Sequence, residues 1–166
     1  MADETNAIAA QVAVAITSGS KLAIGGAGTH RGYGYTVTGD PIDMTAHSGI
    51  ISYEPAEMVL RVRAGTLLST VEAALADANQ CLPFEPPRIS GDPTMGGVVA
   101  SGLSGPARPY LGAVRDAVLG ATILDGHGRV VSFGGQVMKN VAGYDVSRLM
   151  TGAWGTLGVI LEVSIR

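Results

Sequence analysis

The run Gly91-Asp-Pro-Thr-Met-Gly-Gly-Val-Val-Ala-Ser-Gly-Leu-Ser-Gly105 constrains this chain more than any other stretch. Its glycines are interleaved with small residues and hydroxyls, so the backbone can enter φ > 0 and no bulky side chain shields its N–H groups from an approaching anion. A run of this kind also serves as a plain turn. Two further glycine-rich bends favour a ligand: Gly25-Gly-Ala-Gly-Thr-His30 upstream and Gly152 to Gly158 downstream, both next to apolar strand patterns. Three bends of bare backbone between strands are predicted to lie along one extended ligand.

The 166 residues make about one domain with a single core. Charged residues are 15% of the chain, against roughly 25% in typical soluble domains, so part of the surface is expected to be covered by a ligand or partner. The 24 glycines, with aromatic residues at only 5%, predict a loop-dense fold. Net charge is −3 and there is no lysine or arginine run, which argues against a nucleic-acid footprint or an anionic membrane surface. Phosphate contacts then fall mostly to backbone amides. The single Cys81 rules out an intramolecular disulfide, and His30, His47 and His127 have no metal-ligand spacing, so a reduced, metal-free setting is expected. The start, Met-Ala-Asp-Glu-Thr, lacks a basic leader region, and no apolar run reaches the ~20 residues of a membrane helix; the expected location is cytoplasmic, with no transmembrane segment.

Periodicity places an amphipathic helix over 5–17, with Ile8, Val12, Ala15 and Ile16 on one face and Gly19 as its stop. Lys21 to Ile24 reads as a strand feeding Gly26-x-Gly28-x-x-x-Gly32. The residues after Gly32 are glycine- and β-rich, so the helix that a Rossmann fingerprint requires is missing. Strands are predicted over 42–44, 50–53 and 58–63, then a helix over 66–79 with the stripe Leu67, Leu68, Val71 and Leu75 and a Ser69/Glu72 capping box. Prolines stiffen 83–87 on the way into the central glycine run, which reads as loop. Asp125-Gly-His-Gly128 joins strands 117–125 and 129–133 as a hairpin. A short helical patch over 144–150 and a strand from Val159, alternating Val159, Leu161, Val163 and Ile165 inward, close the chain.

These residues carry a family resemblance. Gly134-Gly-Gln-Val-Met-Lys-Asn-Val-Ala-Gly-Tyr-Asp-Val-Ser-Arg-Leu-Met-Thr-Gly-Ala-Trp-Gly-Thr-Leu-Gly158, with Pro93-Thr-Met-Gly-Gly97, Ser104-Gly105 and Arg115-Asp116 before an apolar strand, resembles the PCMH-type FAD-binding domain of the vanillyl-alcohol oxidase/p-cresol methylhydroxylase flavoprotein superfamily. Within it the likeness is to the FAD-binding subunits of bacterial glycolate oxidases, and it runs from about Lys21 to Arg166. It implies an α+β, two-lobed fold: a small strand-rich lobe over about 1–85, a larger mixed sheet with helices over about 86–166, and FAD at the junction. The family's usual C-terminal substrate or cap domain is absent from these residues. Carried over by motif, Gly25, Gly26, Ala27, Gly28, Thr29 and His30 wrap the pyrophosphate. Pro93, Thr94, Met95, Gly96, Gly97, Ala100, Ser101, Ser104 and Gly105 take the remaining phosphate contacts and the flavin edge. Tyr110, Gly112, Ala113, Val159 and Ile160 lie near ribitol, ribose or adenine. The histidine that holds FAD covalently in some relatives falls about two places earlier than His30, so noncovalent FAD is implied. Many relatives carry a glutamate where this chain has Trp154.

The implied chemistry is oxidation of a small-molecule 2-hydroxy acid such as glycolate or D-lactate, with hydride passing to flavin N5 and electrons then to partner redox subunits. The alternative is a non-catalytic FAD- or nucleotide-binding module within a multisubunit assembly. No catalytic or metal-ligating residue is assigned. Lys139 and Asn140 are candidates for the flavin edge, against the plainer reading of Lys139 as a solvated loop lysine. Arg115-Asp116 is expected to be an ion pair or turn cap, Tyr144 a core residue, His47 and His127 loop or turn residues, and Cys81 a small buried hydrophobe.

Overall fold

The computed structural model describes residues 2–33, 36–135 and 143–166; Lys139 and Asn140 lie outside the described residues. Helix α1 (Thr5–Ser18) ends where Gly19 takes φ 70°, the expected stop. Ile8, Val12 and Ala15 are buried, but Ile16 is 51% exposed. It stands one residue, about 100° of helix, beyond Ala15, and that rotation carries it off the packed face.

Strand β1 (Leu22–Gly25) pairs in parallel with β2 (Asp40–Asp43). Parallel neighbours cannot be joined by a tight turn. The chain must travel back over 26–39, and the start of that return, at the end of β1, is the first glycine turn.

The second sheet is built from β3 (Ile50–Glu54), β4 (Val59–Arg63), β5 (Val118–Leu124), β6 (Val130–Gly134) and β7 (Val159–Ile165), in the order β3-β4-β7-β5-β6. Every neighbouring pair in it is antiparallel, where a mixed sheet was implied. The α+β class stands, but the sheets do not divide near residue 85. The division falls between β2 and β3, because β4 and β5 both pair with β7. One hydrophobic cluster runs from Ile8 through Leu68 and Val98 to Leu161 and Ile165.

Helix α2 (Leu68–Asp77) buries Leu68, Val71 and Leu75 on this core. Its N-cap is Leu67, 41% exposed, with no side-chain cap. Ser69 therefore lies inside the helix, and its hydroxyl donates to the Asp92 carboxylate instead of forming the expected box. The hairpin turn is as predicted: Asp125 Oδ1 accepts from His127 N and Arg129 N, each at 2.9 Å. Those bonds, with the Arg129 guanidinium, pull its carboxyl down to about 2. Asp116 Oδ2 accepts from Ala113 N at 3.4 Å, the cap reading of Arg115-Asp116. Tyr144, expected in the core, is 92% exposed, and Cys81 is exposed as well.

His47 departs furthest from expectation. It is wholly buried. Its Nδ1 accepts from Glu4 N at 3.0 Å, and Nε2–H donates to Leu161 O at 3.1 Å, an arrangement that fixes the tautomer. The ring thus staples the N-terminal segment onto β7. Burial pushes its pKa below the ordinary 6.5, outweighing the upward pull of the Asp3 carboxylate. A ring held neutral in the fold contributes fully at pH values above 6.5, where the unfolded chain is neutral too; the contribution is lost as pH falls below that value toward the lowered folded pKa. His47→Asn should lower unfolding free energy by about 2 kcal/mol at pH 8, since the part-buried Glu4 amide and the Leu161 carbonyl lose the ring that joins them. It should also flatten the decline between pH 7 and 5, as read from urea unfolding curves.

Candidate functional site

The central glycine run, expected as loop, contains helix α3 (Met95–Ser101). Thr94 is its N-cap, with Oγ1 accepting from Gly97 N at 3.2 Å, and Gly102 at φ 65° closes it. A threonine followed by glycine at the third position and another glycine at the stop was the available signal; the glycine content masked it. The helix start is pinned to the turn between β4 and α2. Met95 N donates to Thr66 O at 2.8 Å, Gly96 N to Ala64 O at 2.7 Å, and Leu68 N to Pro93 O at 2.8 Å. A Cβ on Gly96 would stand 2.7 Å from the Ala64 Cβ, so only glycine allows this crossing.

That pinning redistributes the donors. The amides of Met95, Gly96 and Gly97 already have protein acceptors. Met95 is a wholly buried core side chain, and Pro93 is buried beside it. In the first turn, by contrast, no acceptor is found among the described residues for the amides of Gly26, Ala27, Gly28, Thr29 and His30. Gly28 there takes φ 74°. Gly25 is the last residue of β1, and its carbonyl accepts from Met44 N at 2.8 Å.

The three bends meet. Gly26, Thr94, Gly96, Gly97, Ala100, Gly155, Gly158 and Ile160 line one small cleft, floored by Met44 and Ala64. Gly26 packs so closely on Thr94 that an added Cβ would lie 2.3 Å from Oγ1. Ser90 Oγ donates to Thr29 O at 3.0 Å, tying the first turn to the central run. Gly152 N donates to Val99 O at 3.1 Å and Trp154 N to Ala100 O at 2.9 Å, hanging the third bend from α3.

Other predicted residues fall elsewhere. The Ser101 and Ser104 hydroxyls donate to Val98 O and Gly102 O, and Ser104 Oγ also accepts from Val114 N. Gly105, at φ 66°, backs onto Glu85 O, where a Cβ would come within 2.2 Å. Val159 and Ile160 are buried at the head of β7. Tyr110, in helix α4 (Arg108–Leu111), is 91% exposed. Gly112 and Ala113 line a separate, mainly apolar cleft of about 480 Å³ with Tyr53, Leu60, Leu75 and Leu82.

Sequence reading missed Arg31. Its guanidinium lies along the first turn, and a Cβ on Gly28 would be 3.2 Å from its Nε. Its charge reaches Asp43, whose carboxyl is held below its usual range chiefly by hydrogen bonds from Thr45, with Arg31 adding a smaller pull. His30 accepts or donates through Nδ1 to Thr29 Oγ1 at 3.0 Å, while its Nε2 is buried with no partner among the described residues. Burial lowers its pKa, which favours the neutral ring. No group of three or more His, Cys, Asp or Glu side chains placed to hold a metal occurs among the described residues. Nor is any described helix long and apolar enough to cross a membrane.

Comparison with known proteins gives this cleft its context. A family model described as "FAD binding domain" matches residues 1–134. The chain belongs to the FAD binding domain family. Its relatives include the glycolate oxidase subunit GlcE of Escherichia coli (strain K12), 49% identical over 99% of this chain and 47% of that protein. The D-lactate dehydrogenase of Anaerostipes hadrus is 31% identical over 75% of this chain and 26% of that protein. The chain thus spans less than half the length of these relatives. For an FAD binding domain the residues present fit the cofactor: five amides with no acceptor among the described residues, and the Arg31 guanidinium along the same turn, suit a diphosphate.

The cradle depends on the α3 cap. Thr94→Ala should cost about 1 kcal/mol of unfolding free energy, and Thr94→Ser should recover most of it, as read from paired urea midpoints.

Proposed function

We propose that this chain is the FAD-holding part of an oxidoreductase that oxidises a small 2-hydroxy acid, such as glycolate or D-lactate, and passes the electrons to a partner redox subunit. The observation that carries the reading is the convergence of three glycine bends on one cleft, beside five backbone amides with no acceptor among the described residues. The substrate class is supported by relatives named as a glycolate oxidase subunit and D-lactate dehydrogenases.

In this reading the amides of Gly26 to His30, with the Arg31 guanidinium, hold the diphosphate; partial charges on N–H groups and one cation do the neutralising. Thr94, Gly97, Ala100 and Ile160 shape the wall along which the rest of the dinucleotide lies. Bound FAD would supply a two-electron acceptor for the hydride on the carbon bearing the substrate hydroxyl. No Asp, Glu, Lys or His lines the cleft among the described residues. The described residues therefore bind and orient the cofactor and leave proton transfer to groups outside this cleft. FAD is held noncovalently: His30 sits among the diphosphate amides, whereas a covalent link needs a side chain at the flavin ring.

Purified chain should bind added FAD and show a flavin absorption spectrum. Acid precipitation should leave the flavin in the supernatant, and flavin retained in the pellet would refute the noncovalent assignment. Assays with glycolate and D-lactate and an artificial electron acceptor separate an oxidoreductase part from a non-catalytic binding module. Turnover by this chain alone excludes the module. A flavin-loaded chain that turns over only when joined to the remainder of a longer protein or its partner subunits supports a division of labour in which this chain holds the cofactor and the substrate is bound elsewhere.

A further inference from the structure

Trp154 adopts φ 53°, the left-handed region that bulky side chains avoid, between Ala153 and a glycine. This backbone turns its indole toward the first glycine bend, where it stacks on Tyr33 at 6.0 Å with an interplanar angle of 18° and meets the His30 ring edge-on at 6.3 Å. Tyr33 and Trp154 are both about half exposed, so the stack sits at the surface and not in the core. Beneath it, His30 Nε2 is buried without a partner among the described residues.

We propose that Trp154 is a positioning residue for the dinucleotide: its indole clasps the first glycine turn to the third and holds the His30 ring, and with it the five donor amides, in the arrangement that receives the ligand. This role presupposes that the chain holds FAD. Its physical basis is an asymmetry in how the two bends are anchored. The third bend hangs from α3 by two backbone hydrogen bonds, to Val99 and Ala100, and keeps them whatever side chain residue 154 carries. The first bend has one side tied by Ser90 to Thr29 O; toward the third bend it is met by the aromatic rings and by Ile24, which faces Gly155. Removing the indole leaves the third bend standing and frees one flank of the first. The amides must then be ordered by the ligand itself, and that ordering weakens binding. His30 Nε2, with no partner among the described residues, is a polar atom left for a ligand seated beside it.

Trp154→Gly is the informative variant, because glycine takes the left-handed backbone without strain and the fold should not suffer. FAD affinity is read from the change in flavin fluorescence on titration, and stability from the unfolding midpoint. In the wild-type 166-residue chain, Trp154 is the only tryptophan, so its emission should fall on FAD titration with the same midpoint. Trp154→Gly should weaken FAD binding about tenfold or more with an unfolding midpoint near wild type, because relief of the left-handed strain offsets the lost indole burial. Trp154→Phe, which keeps a stacking ring, should stay within about threefold of wild type. Equal affinity in wild type and Trp154→Gly overturns the clasp while leaving FAD binding intact. Trp154→Phe falling as far as Trp154→Gly, or affinity lost only in step with stability, overturns it too. A wild-type chain that binds no FAD overturns the FAD-holding reading itself, and the clasp with it.

Discussion

Two backbone hydrogen bonds, Met95 N to Thr66 O and Gly96 N to Ala64 O, fix the relation of everything else in this domain. They press the start of α3 against the end of β4 at a separation that tolerates no Cβ on residue 96. From there the contacts propagate in both directions. The carbonyls of Val99 and Ala100 carry the third glycine bend, and Thr94 is the surface on which Gly26 of the first bend rests. The glycine at 26 is therefore needed first for close approach to the Thr94 side chain and the glycine at 96 for close approach to Ala64, and the cleft is a consequence of those approaches.

The same bonds decide where an anion can be held. An amide at a helix start attracts negative charge only while it lacks an acceptor. In α3 the first amides have acceptors on the neighbouring turn or on the Thr94 cap, whereas the amides of Gly26 through His30 have none among the described residues. On the proposed reading, a chain with net charge −3, and with Arg31 as the cation along this bend, would meet a dianionic group chiefly with peptide dipoles, which remain in place when side chains fluctuate. Asp43 lies near enough to feel the charge of Arg31 while its Oδ1 is taken by Thr45, and it adds no carboxylate to the lining of the cleft.

Local pattern read well where structure is decided locally. Alternation located β4 and β7, Gly19 marked the end of α1, and Asp125 with its glycines placed the β5–β6 hairpin; each depends on residues within a few positions of one another. It failed where partners are distant in sequence. His47 is defined by Glu4 and Leu161, Ser69 is drawn to Asp92, and α3 is held by Ala64 and Thr66. For the site, motif resemblance brought Gly26, Thr94, Gly96, Gly97, Ala100 and Ile160 together, and these do share a cleft. It could not tell a free amide from a committed one, and it passed over Arg31, whose placement beside Gly28 depends on the φ 74° turn.

Trp154 shows how local cost and long-range order trade against each other in this fold. A non-glycine residue held left-handed costs on the order of 1–3 kcal/mol, whereas an aromatic pair contributes about 0.5–1.5 kcal/mol, and less when half of each ring faces solvent. The stack with Tyr33 therefore does not by itself offset the strain. The Trp154 N to Ala100 O bond would form as well with glycine at this position, which carries no such penalty. In exchange for that backbone cost tryptophan supplies a half-buried ring that restrains the conformations of its neighbour across the cleft. Strain of that kind, at the Trp154 of the Tyr33–His30–Trp154 cluster, fits a site whose geometry matters more than its own stability.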